Sequence, residues 1–164
     1  MINCTFEDGN QGSLRHVTAG CLIIKDGKIL LAQRNAGLLE AGKWCIPAGF
    51  ANRDETIAET GRRETMEETG WEVANLRLLR INDSPNRPHE KGRQNVDFIY
   101  LADALRKVGK KDNESAAIKW FKLDELPPDD LIAFDHIDSI NLYKRYLKSA
   151  FQIPVIGKIP DALN

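Results

Sequence analysis

Residues 55–69 constrain the fold more than any other stretch, because they carry the start, the repeat and the stop of an α-helix. Thr56, followed three residues later by Glu59, is the pattern of a capping box. Gly70 follows, and glycine readily adopts the left-handed conformation that ends many helices. The spacing therefore predicts a helix over residues 55–69.

The predicted helix carries an unfavourable arrangement of charge. At about 100° per residue, Glu64, Glu67 and Glu68 fall within roughly one 100° arc of the helix surface. Carboxylates this close repel one another, and two of them lie where the helix dipole disfavours negative charge. A hard cation such as Mg²⁺ would relieve the repulsion. For such a run in isolation, a solvated helix face neutralised by Arg62 and Arg63 is the favoured interpretation.

Strand patterns lie on both sides of the helix. Apolar runs at 17–24 and 29–33 flank an Asp-Gly turn and predict a β-hairpin. Further strands are predicted at 44–46, 72–81, 96–102 and 118–121, a second helix at 136–150, and loops at 34–43, 82–95 and 106–115. Residues 1–15 are expected to be a short N-terminal segment and 151–164 an extended tail. The order of these elements predicts one layered α/β domain over residues 1–164.

Composition excludes several classes of protein. A formal net charge of −1 excludes a strongly basic nucleic-acid binder. Three cysteines with no CxxC spacing support neither a disulfide framework nor a zinc ribbon. The longest apolar stretch, residues 19–24, is far too short to span a membrane, and the first eight residues lack a signal-peptide pattern. We therefore expect a cytoplasmic protein whose partner is a small molecule, not a nucleic acid or a membrane.

Residues 49–71 resemble the Nudix box, GX5EX7REUXEEXGU, in which U is aliphatic. All seven fixed positions match: Gly49, Glu55, Arg63, Glu64, Glu67, Glu68 and Gly70. At ordinary usage of roughly 7% per residue type, the chance of such a match is on the order of 10⁻⁸ per window. Thr65 and Trp71 depart from the two aliphatic positions, which should affect packing more than chemistry.

The resemblance implies a fold and an activity. Nudix proteins fold as an α/β/α sandwich around a mixed sheet, and the likeness extends over roughly residues 17–147. Nudix enzymes hydrolyse a nucleoside diphosphate linked to another moiety, X. A homodimer is compatible with the family, although no interface follows from the sequence.

The resemblance also implies roles for the residues of the box. Glu64, Glu67 and Glu68 would bind Mg²⁺, or Mn²⁺ in its place, with Gly49 at the turn that enters the site. Arg63 would orient a metal-binding glutamate. A supporting role behind the metal ligands is implied for two further residues, Glu55 and Gly70.

A general base and substrate contacts are expected outside the box. Glu114, six residues before Trp120, is the candidate base, and an ordinary loop glutamate is an equally good interpretation; Glu90 is a weaker candidate. Substrate contacts are expected from Arg34, Phe50, Arg87 and Arg93, since arginine suits phosphate and an aromatic ring can stack on a base. Each of these is also explained as an ordinary surface or core residue. None of the three histidines, His16, His89 and His136, is expected to be catalytic.

Three features resemble the ADP-ribose subgroup of the family. They are residues 46–50, Pro85 at 15 residues after Gly70, and the run Ala133-Phe134-Asp135-His136. ADP-ribose or a related nucleotide sugar is therefore the expected substrate. Two alternatives remain open: a (d)NTP pyrophosphohydrolase of the MutT sanitising type, and a sensor that binds ADP-ribose without cleaving it.

Overall fold

A computed structural model describes residues 2–85, 87 and 94–160. The two α-helices are α1 (Ile57–Thr69) and α2 (His136–Lys148), and a 3-10 turn covers Asp129–Leu131. The strands are β1 (Ile2–Thr5), β2 (Gln11–Leu14), β3 (His16–Lys25), β4 (Lys28–Arg34), β5 (Trp44–Cys45), β6 (Ala48–Phe50), β7 (Trp71–Asn82), β8 (Asn95–Lys107), β9 (Ser115–Lys122) and β10 (Val155–Ile156).

Strands β3 to β10 form one mixed sheet. The strand order is β10-β7-β8-β3-β4-β5, with β6 paired to β3 and β9 paired to β4. Strand β3 runs parallel to β8 and antiparallel to β4 and β6. The register sets Thr18 opposite Asp97 on one side and opposite Phe50 on the other. These three residues of distant sequence therefore lie side by side.

The two helices cover opposite faces of the sheet. Side chains alternate along a strand, so Cys21 and Leu22 point to different faces. Helix α1 covers the Cys21 face: a Cβ on Gly61 would lie 3.1 Å from the Cys21 sulfur. Helix α2 covers the other face, where Ile140 and Leu142 join the buried cluster that contains Leu22. The predicted α/β/α sandwich around a mixed sheet is confirmed.

The predicted hairpin and both helices are confirmed, with small shifts at their ends. Helix α1 begins at Ile57 with Thr56 as its cap, and Gly70 ends it with a φ of 72°. Thr56 and Glu59 make both bonds of the predicted capping box. Helix α2 ends at Lys148 and not at residue 150.

Several segments differ from the sequence prediction. Residues 2–14 form a hairpin where only an N-terminal segment was expected, and Val155–Ile156 pairs with β7 within the tail. Strand β8 continues to Lys107, into the predicted loop 106–115, because it stays paired with β7. The predicted strand 44–46 is shorter, and β6 follows Pro47. Pairing between distant segments forms β6, β10 and the end of β8, and local composition does not report it. Strands β1 and β2 are a local hairpin whose side chains are mostly exposed.

No helix in the part of the chain that the structure covers is long and apolar enough to cross a membrane. The three cysteines are free thiols, and Cys21 and Cys45 are buried. Burial raises the pKa of the Cys21 thiol to about 11 and that of Cys45 to about 12. Both thiols are therefore inert core residues.

Candidate active site

A cavity of about 320 Å³ opens between α1, strands β3, β4, β6 and β8, and the segment before α2. It gathers most of the residues that the sequence singled out. The expected residues that line it are Arg34, Gly49, Phe50, Arg63, Glu64, Arg87 and Glu114. Residues separated by up to 80 positions in the sequence thus face one space.

Arg63 is the hub of the glutamate cluster. Its Nη1 atom donates to Glu64 Oε1 at 2.6 Å and to Glu67 Oε2 at 3.0 Å. Its Nε and Nη2 atoms donate to the two oxygens of Glu55 at 3.0 and 2.7 Å. Nη2 also donates to the backbone carbonyl of Phe50 at 2.9 Å. The planar fork of one guanidinium therefore orients three carboxylates and the loop that precedes the helix.

Glu55 supports the site from behind. Besides the pair with Arg63, its Oε1 atom accepts from the backbone N–H of Asn52 at 2.7 Å and from Thr60 Oγ1 at 3.0 Å. The hydrogen bonds from Arg63 lower the pKa of Glu55 to about 2, and the Asn52 N–H adds to the effect. With its acceptor positions occupied, Glu55 positions Arg63 and the 50–52 loop. The supporting role expected from the sequence agrees with this geometry.

Gly49 leaves room for the carboxylate of Glu64. A Cβ built at Gly49 would lie 2.2 to 2.3 Å from the Glu64 carboxylate atoms. No side chain fits at that distance, so any other residue displaces Glu64. The glycine is required here for close approach and not for a left-handed backbone.

Glu68 is a carboxylate that the fold holds away from water. The residue is 6% exposed, and burial raises its pKa well above the ordinary value, with Glu64, Asp112 and Glu114 adding negative charge. Burial also raises the pKa of Glu64, although the bonds from Arg63 oppose the shift. The backbone N–H of Asp112 donates to the carbonyl of Glu67 at 2.9 Å, which holds the loop before β9 against α1. Helix and loop together concentrate negative charge around Glu68.

The chemistry of this donor set fits a hard divalent cation. All the side-chain donors are carboxylate oxygens, the ligands that Mg²⁺ takes, and Glu68 is a buried carboxylate close to the negative charges of Glu64, Asp112 and Glu114. Within residues 2–85, 87 and 94–160, no three acidic, histidine or cysteine side chains are arranged as a metal site. Glu64 and Glu67 turn to Arg63 instead. The assignment of Glu64, Glu67, Glu68 and Gly49 to a metal site stays a prediction.

Gly70 has a separate structural role at the end of α1. Its φ of 72° lies in the left-handed region, and its amide donates to Met66 O. A Cβ there would lie 2.2 Å from the carbonyl oxygen of Gly109. Glycine is therefore required both by the backbone conformation and by the close approach of β8's following loop.

Two of the four expected substrate contacts lie on the β4 and β6 side of the cavity. Arg34 ends β4, donates from Nε to the carbonyl of Leu39, and lies 4.9 Å from the ring centre of Phe134. Phe50 is 44% exposed, and its ring centre lies 5.1 Å from that of His16. Both contacts remain predictions, with positions that agree with them.

Arg87 lines the cavity but is already engaged with acidic side chains. It donates from Nε and Nη2 to the two oxygens of Asp135 at 2.6 and 2.5 Å, and Nη2 lies 3.4 Å from Asp97 Oδ2. This bidentate pair leaves less of the guanidinium for phosphate than the sequence suggested. The remaining candidates of that loop, Glu90 and Arg93, lie outside the described residues.

Sequence reasoning missed a polar group on the same cavity. Thr18, Asp97, Phe134 and His136 all line it. Asp97 was detectable as a lone charge inside the apolar strand 96–102, which is a costly position for an unpaired carboxylate. His136 and Phe134 stand out in the sequence only within the run 133–136 that resembles the ADP-ribose subgroup, and that run does not show the hydrogen bond from Ile46, which is distant in sequence.

Comparison with known proteins agrees with this geometry. The family model for the NUDIX domain matches residues 14–143. An ADP-ribose pyrophosphatase of Methanocaldococcus jannaschii is 32% identical over 125 residues, which are 76% of this chain and 70% of that protein. The NAD-capped RNA hydrolase NudC of Vibrio vulnificus is 35% identical over 112 residues, 66% of this chain. The chain spans 40% of the length of that second relative.

Solved structures share the architecture. A NUDIX hydrolase from Nitrosomonas europaea superposes with a TM-score of 0.70 and 29% identity, covering 92% of this chain and 84% of the other. Residues 14–143, which the family model matches, contain the whole of α1, the strands that line the cavity and most of α2. The chain belongs to the Nudix domain family.

Proposed function

We propose that this protein is a divalent-metal-dependent pyrophosphohydrolase. It cleaves the diphosphate of a nucleoside diphosphate linked to a second moiety, and ADP-ribose or a related nucleotide sugar is its substrate. The observation that carries the proposal is the group of Glu64, Glu67 and Glu68 on α1, in which Arg63 holds Glu64 and Glu67, beside a cavity of about 320 Å³ that Glu64 lines. The free cysteines support a reducing, cytoplasmic location.

In this proposal, Glu64, Glu67 and Glu68 hold Mg²⁺, or Mn²⁺ in its place, with Gly49 leaving the space that Glu64 needs. When bound, the cation neutralises the diphosphate and lowers the pKa of water. Arg63 fixes the orientation of Glu64 and Glu67 through its hydrogen bonds to them. Arg34 supplies a guanidinium for the phosphates, because its side chain lines the cavity.

Glu114 is the proposed acceptor of the proton from the attacking water. It lines the cavity, and its negative charge contributes to the raised pKa of both Glu64 and Glu68. Its backbone is fixed, because its N–H donates to Asp112 Oδ1 at 2.9 Å and its carbonyl accepts from the Asn35 N–H at 2.8 Å. A carboxylate on a pinned loop is well placed for this role.

Glu114→Gln is expected to lower kcat by about 10²- to 10⁴-fold while KM changes little, since glutamine keeps the shape but accepts no proton at neutral pH. Steady-state kinetics on the best substrate measure both constants. Glu125→Gln, which removes a surface carboxylate paired with Lys122, is the matched control. Wild-type kcat in Glu114→Gln would assign the base to another group.

Gly49→Ala is expected to lower kcat/KM at least tenfold with little loss of stability. The added methyl group overlaps the Glu64 carboxylate, and the side chain moves while the backbone stays. Kinetics combined with thermal melting measure the two effects. Ala51→Ser, at a neighbouring loop position, is the control. Gly27→Ala would not serve, because Gly27 has a positive φ. Full activity in Gly49→Ala would show that the Glu64 position is not critical.

The substrate is tested by a panel of ADP-ribose, NADH, diadenosine polyphosphates, nucleotide sugars and (oxo-)dNTPs with Mg²⁺. The preference for ADP-ribose is supported by the name of the archaeal relative, an ADP-ribose pyrophosphatase. AMP and ribose 5-phosphate from ADP-ribose are the expected products. Release of pyrophosphate from a dNTP would favour the sanitising class, and binding of ADP-ribose with no turnover would favour a sensor.

A further inference from the structure

A second polar group lines the cavity and has no part in the chemistry proposed above. It consists of Thr18, Asp97 and His136, called here the inner wall. Within the described part of the chain, no hydrogen bond or ion pair joins it to Glu64, Glu67 or Glu68. We propose that the inner wall recognises the nucleobase of the substrate, and that this base is adenine. The inference rests on the proposed function, because it assumes a nucleotide in this cavity.

His136 presents one fixed hydrogen-bond donor. Its Nδ1 atom accepts from the backbone N–H of Ile46 at 3.0 Å, so the ring proton is carried by Nε2. The residue is 7% exposed, and burial lowers its pKa, which keeps the ring neutral. Among the residues that the structure describes, none accepts a hydrogen bond from Nε2. A buried donor on a cavity wall without a protein partner is suited to a ligand acceptor.

Asp97 presents the complementary acceptor. It is 3% exposed and lies beside Thr18 in the sheet register. Thr18 Oγ1 donates to its Oδ1 atom at 2.7 Å, and Arg87 Nη2 lies 3.4 Å from Oδ2. Each carboxylate oxygen can accept two hydrogen bonds, so acceptor capacity remains. Thr18 and Arg87 each occupy one acceptor position, one on each oxygen, and the other positions are left for a donor of the ligand.

Phe134 adds a flat apolar surface next to this polar pair. Its φ of 57° is uncommon for a residue with a side chain, and the bond from its N–H to Glu40 Oε2 at 2.9 Å helps to hold it. Its ring centre lies 5.5 Å from that of His136. Backbone strain of this kind clusters at ligand-binding positions. The strained turn sets an aromatic ring on the cavity, where a base can stack.

Adenine fits this combination better than the second half of the substrate does. It offers an amino donor for Asp97, a ring-nitrogen acceptor for His136 and an aromatic face for Phe134. A pentose offers hydroxyl groups but no flat face. Hypoxanthine has a carbonyl oxygen in place of the amino group, and that oxygen would face the Asp97 carboxylate without a proton between them. A site built around such a pair rejects the analogue strongly.

The test measures binding of the two halves of ADP-ribose, AMP and ribose 5-phosphate, by calorimetry with Mg²⁺. Each has one phosphate and one ribose, so the comparison isolates the adenine. Asp97→Asn and His136→Asn are each expected to weaken AMP binding about tenfold and to leave ribose 5-phosphate binding unchanged. IMP is expected to bind the wild type at least tenfold more weakly than AMP. Asp103→Asn, an exposed carboxylate on the same strand, is the control.

Two substitutions of His136 separate recognition from structure. Asparagine keeps an acceptor near the Nδ1 position for the Ile46 N–H and removes the Nε2 donor. Glutamine keeps a donor near the Nε2 position and loses that acceptor. If His136 recognises the base, His136→Asn weakens AMP binding and changes the melting temperature little. His136→Gln then lowers the melting temperature and changes AMP binding little. A purely structural histidine would lose AMP affinity only in His136→Gln.

Other outcomes overturn the proposal. They are a wild type that binds AMP no better than IMP, a wild type that does not bind AMP, and variants that weaken ribose 5-phosphate instead of AMP. Failure of the proposed function is separate, because binding requires no turnover. If the protein cleaves nothing in the panel but binds AMP, and Asp97→Asn weakens that binding, the inner-wall proposal stands and the proposed hydrolase activity fails. If the protein hydrolyses a substrate efficiently and Asp97→Asn leaves AMP binding unchanged, the hydrolase stands and the inner-wall proposal fails.

Discussion

Glu68→Gln is expected to lower kcat by about three orders of magnitude, because it removes a charged oxygen ligand from the proposed metal site. The fold is expected to persist. Burial disfavours the charged form of Glu68, so a neutral side chain of the same shape costs the folded state little. Kinetics with Mg²⁺ measure the first effect, and thermal melting without metal measures the second.

Metal titration makes the Glu68 prediction specific. Mg²⁺ is expected to raise the melting temperature of the wild type, and the rise should be much smaller in Glu68→Gln, since a ligand stabilises only the state that binds it. Glu72→Gln, a surface carboxylate paired with Arg106, serves as the control and should match the wild type. Near-normal activity in Glu68→Gln would refute its assignment to the metal site.

Arg63→Ala is expected to lose both stability and activity. The side chain is 28% exposed and pairs with Glu55, Glu64 and Glu67. Its removal leaves these three carboxylates without the guanidinium that they share. After allowance for the exposed part, we expect a loss of about 2–3 kcal/mol in the free energy of unfolding. That corresponds to a decrease of roughly 5–10 °C in melting temperature. Activity is expected to decrease by at least 10²-fold, since the carboxylates lose their orientation.

Arg63→Lys separates charge from geometry. Lysine keeps the positive charge but lacks the fork that reaches Glu55 on one side and Glu64 and Glu67 on the other. We expect it to recover part of the stability and little of the activity. Arg53→Ala, which removes an arginine that is 94% exposed, should change neither. Full activity in Arg63→Lys would mean that a positive charge alone is sufficient at this position.

Local sequence features predicted the local structure well. The capping box, the glycine stop and the Asp-Gly hairpin turn each act over a few residues, and all three appear in the structure. The short strands β6 and β10 escaped prediction, because their partners and not their composition make them strands. Strands β1 and β2 pair locally, and they escaped prediction because their side chains are mostly exposed and form no apolar run. Pairing between distant segments has no local signature of comparable strength.

The candidate site shows the same difference between local features and contacts that join distant segments. The glutamates of α1 were recognisable as a candidate site because they repeat along one helix face, and a helix converts spacing into position directly. Nothing in the sequence indicated that Thr18, Asp97 and His136 meet at one wall of the cavity. Thr18 donates to Asp97 across 79 residues of sequence, and Ile46 donates to His136 across 90.

The sequence by itself thus determined the fold class, the family and the group of carboxylates expected to carry the chemistry. Only the tertiary structure decided which other side chains share their cavity, and therefore what the substrate meets beyond its phosphates. The physical reason is that periodicity reports which face of an element is buried, whereas sheet register decides its neighbours. Thr18 pairs with Asp97 of β8 on one side and with Phe50 of β6 on the other. This register places the inner wall beside the strand that leads to α1.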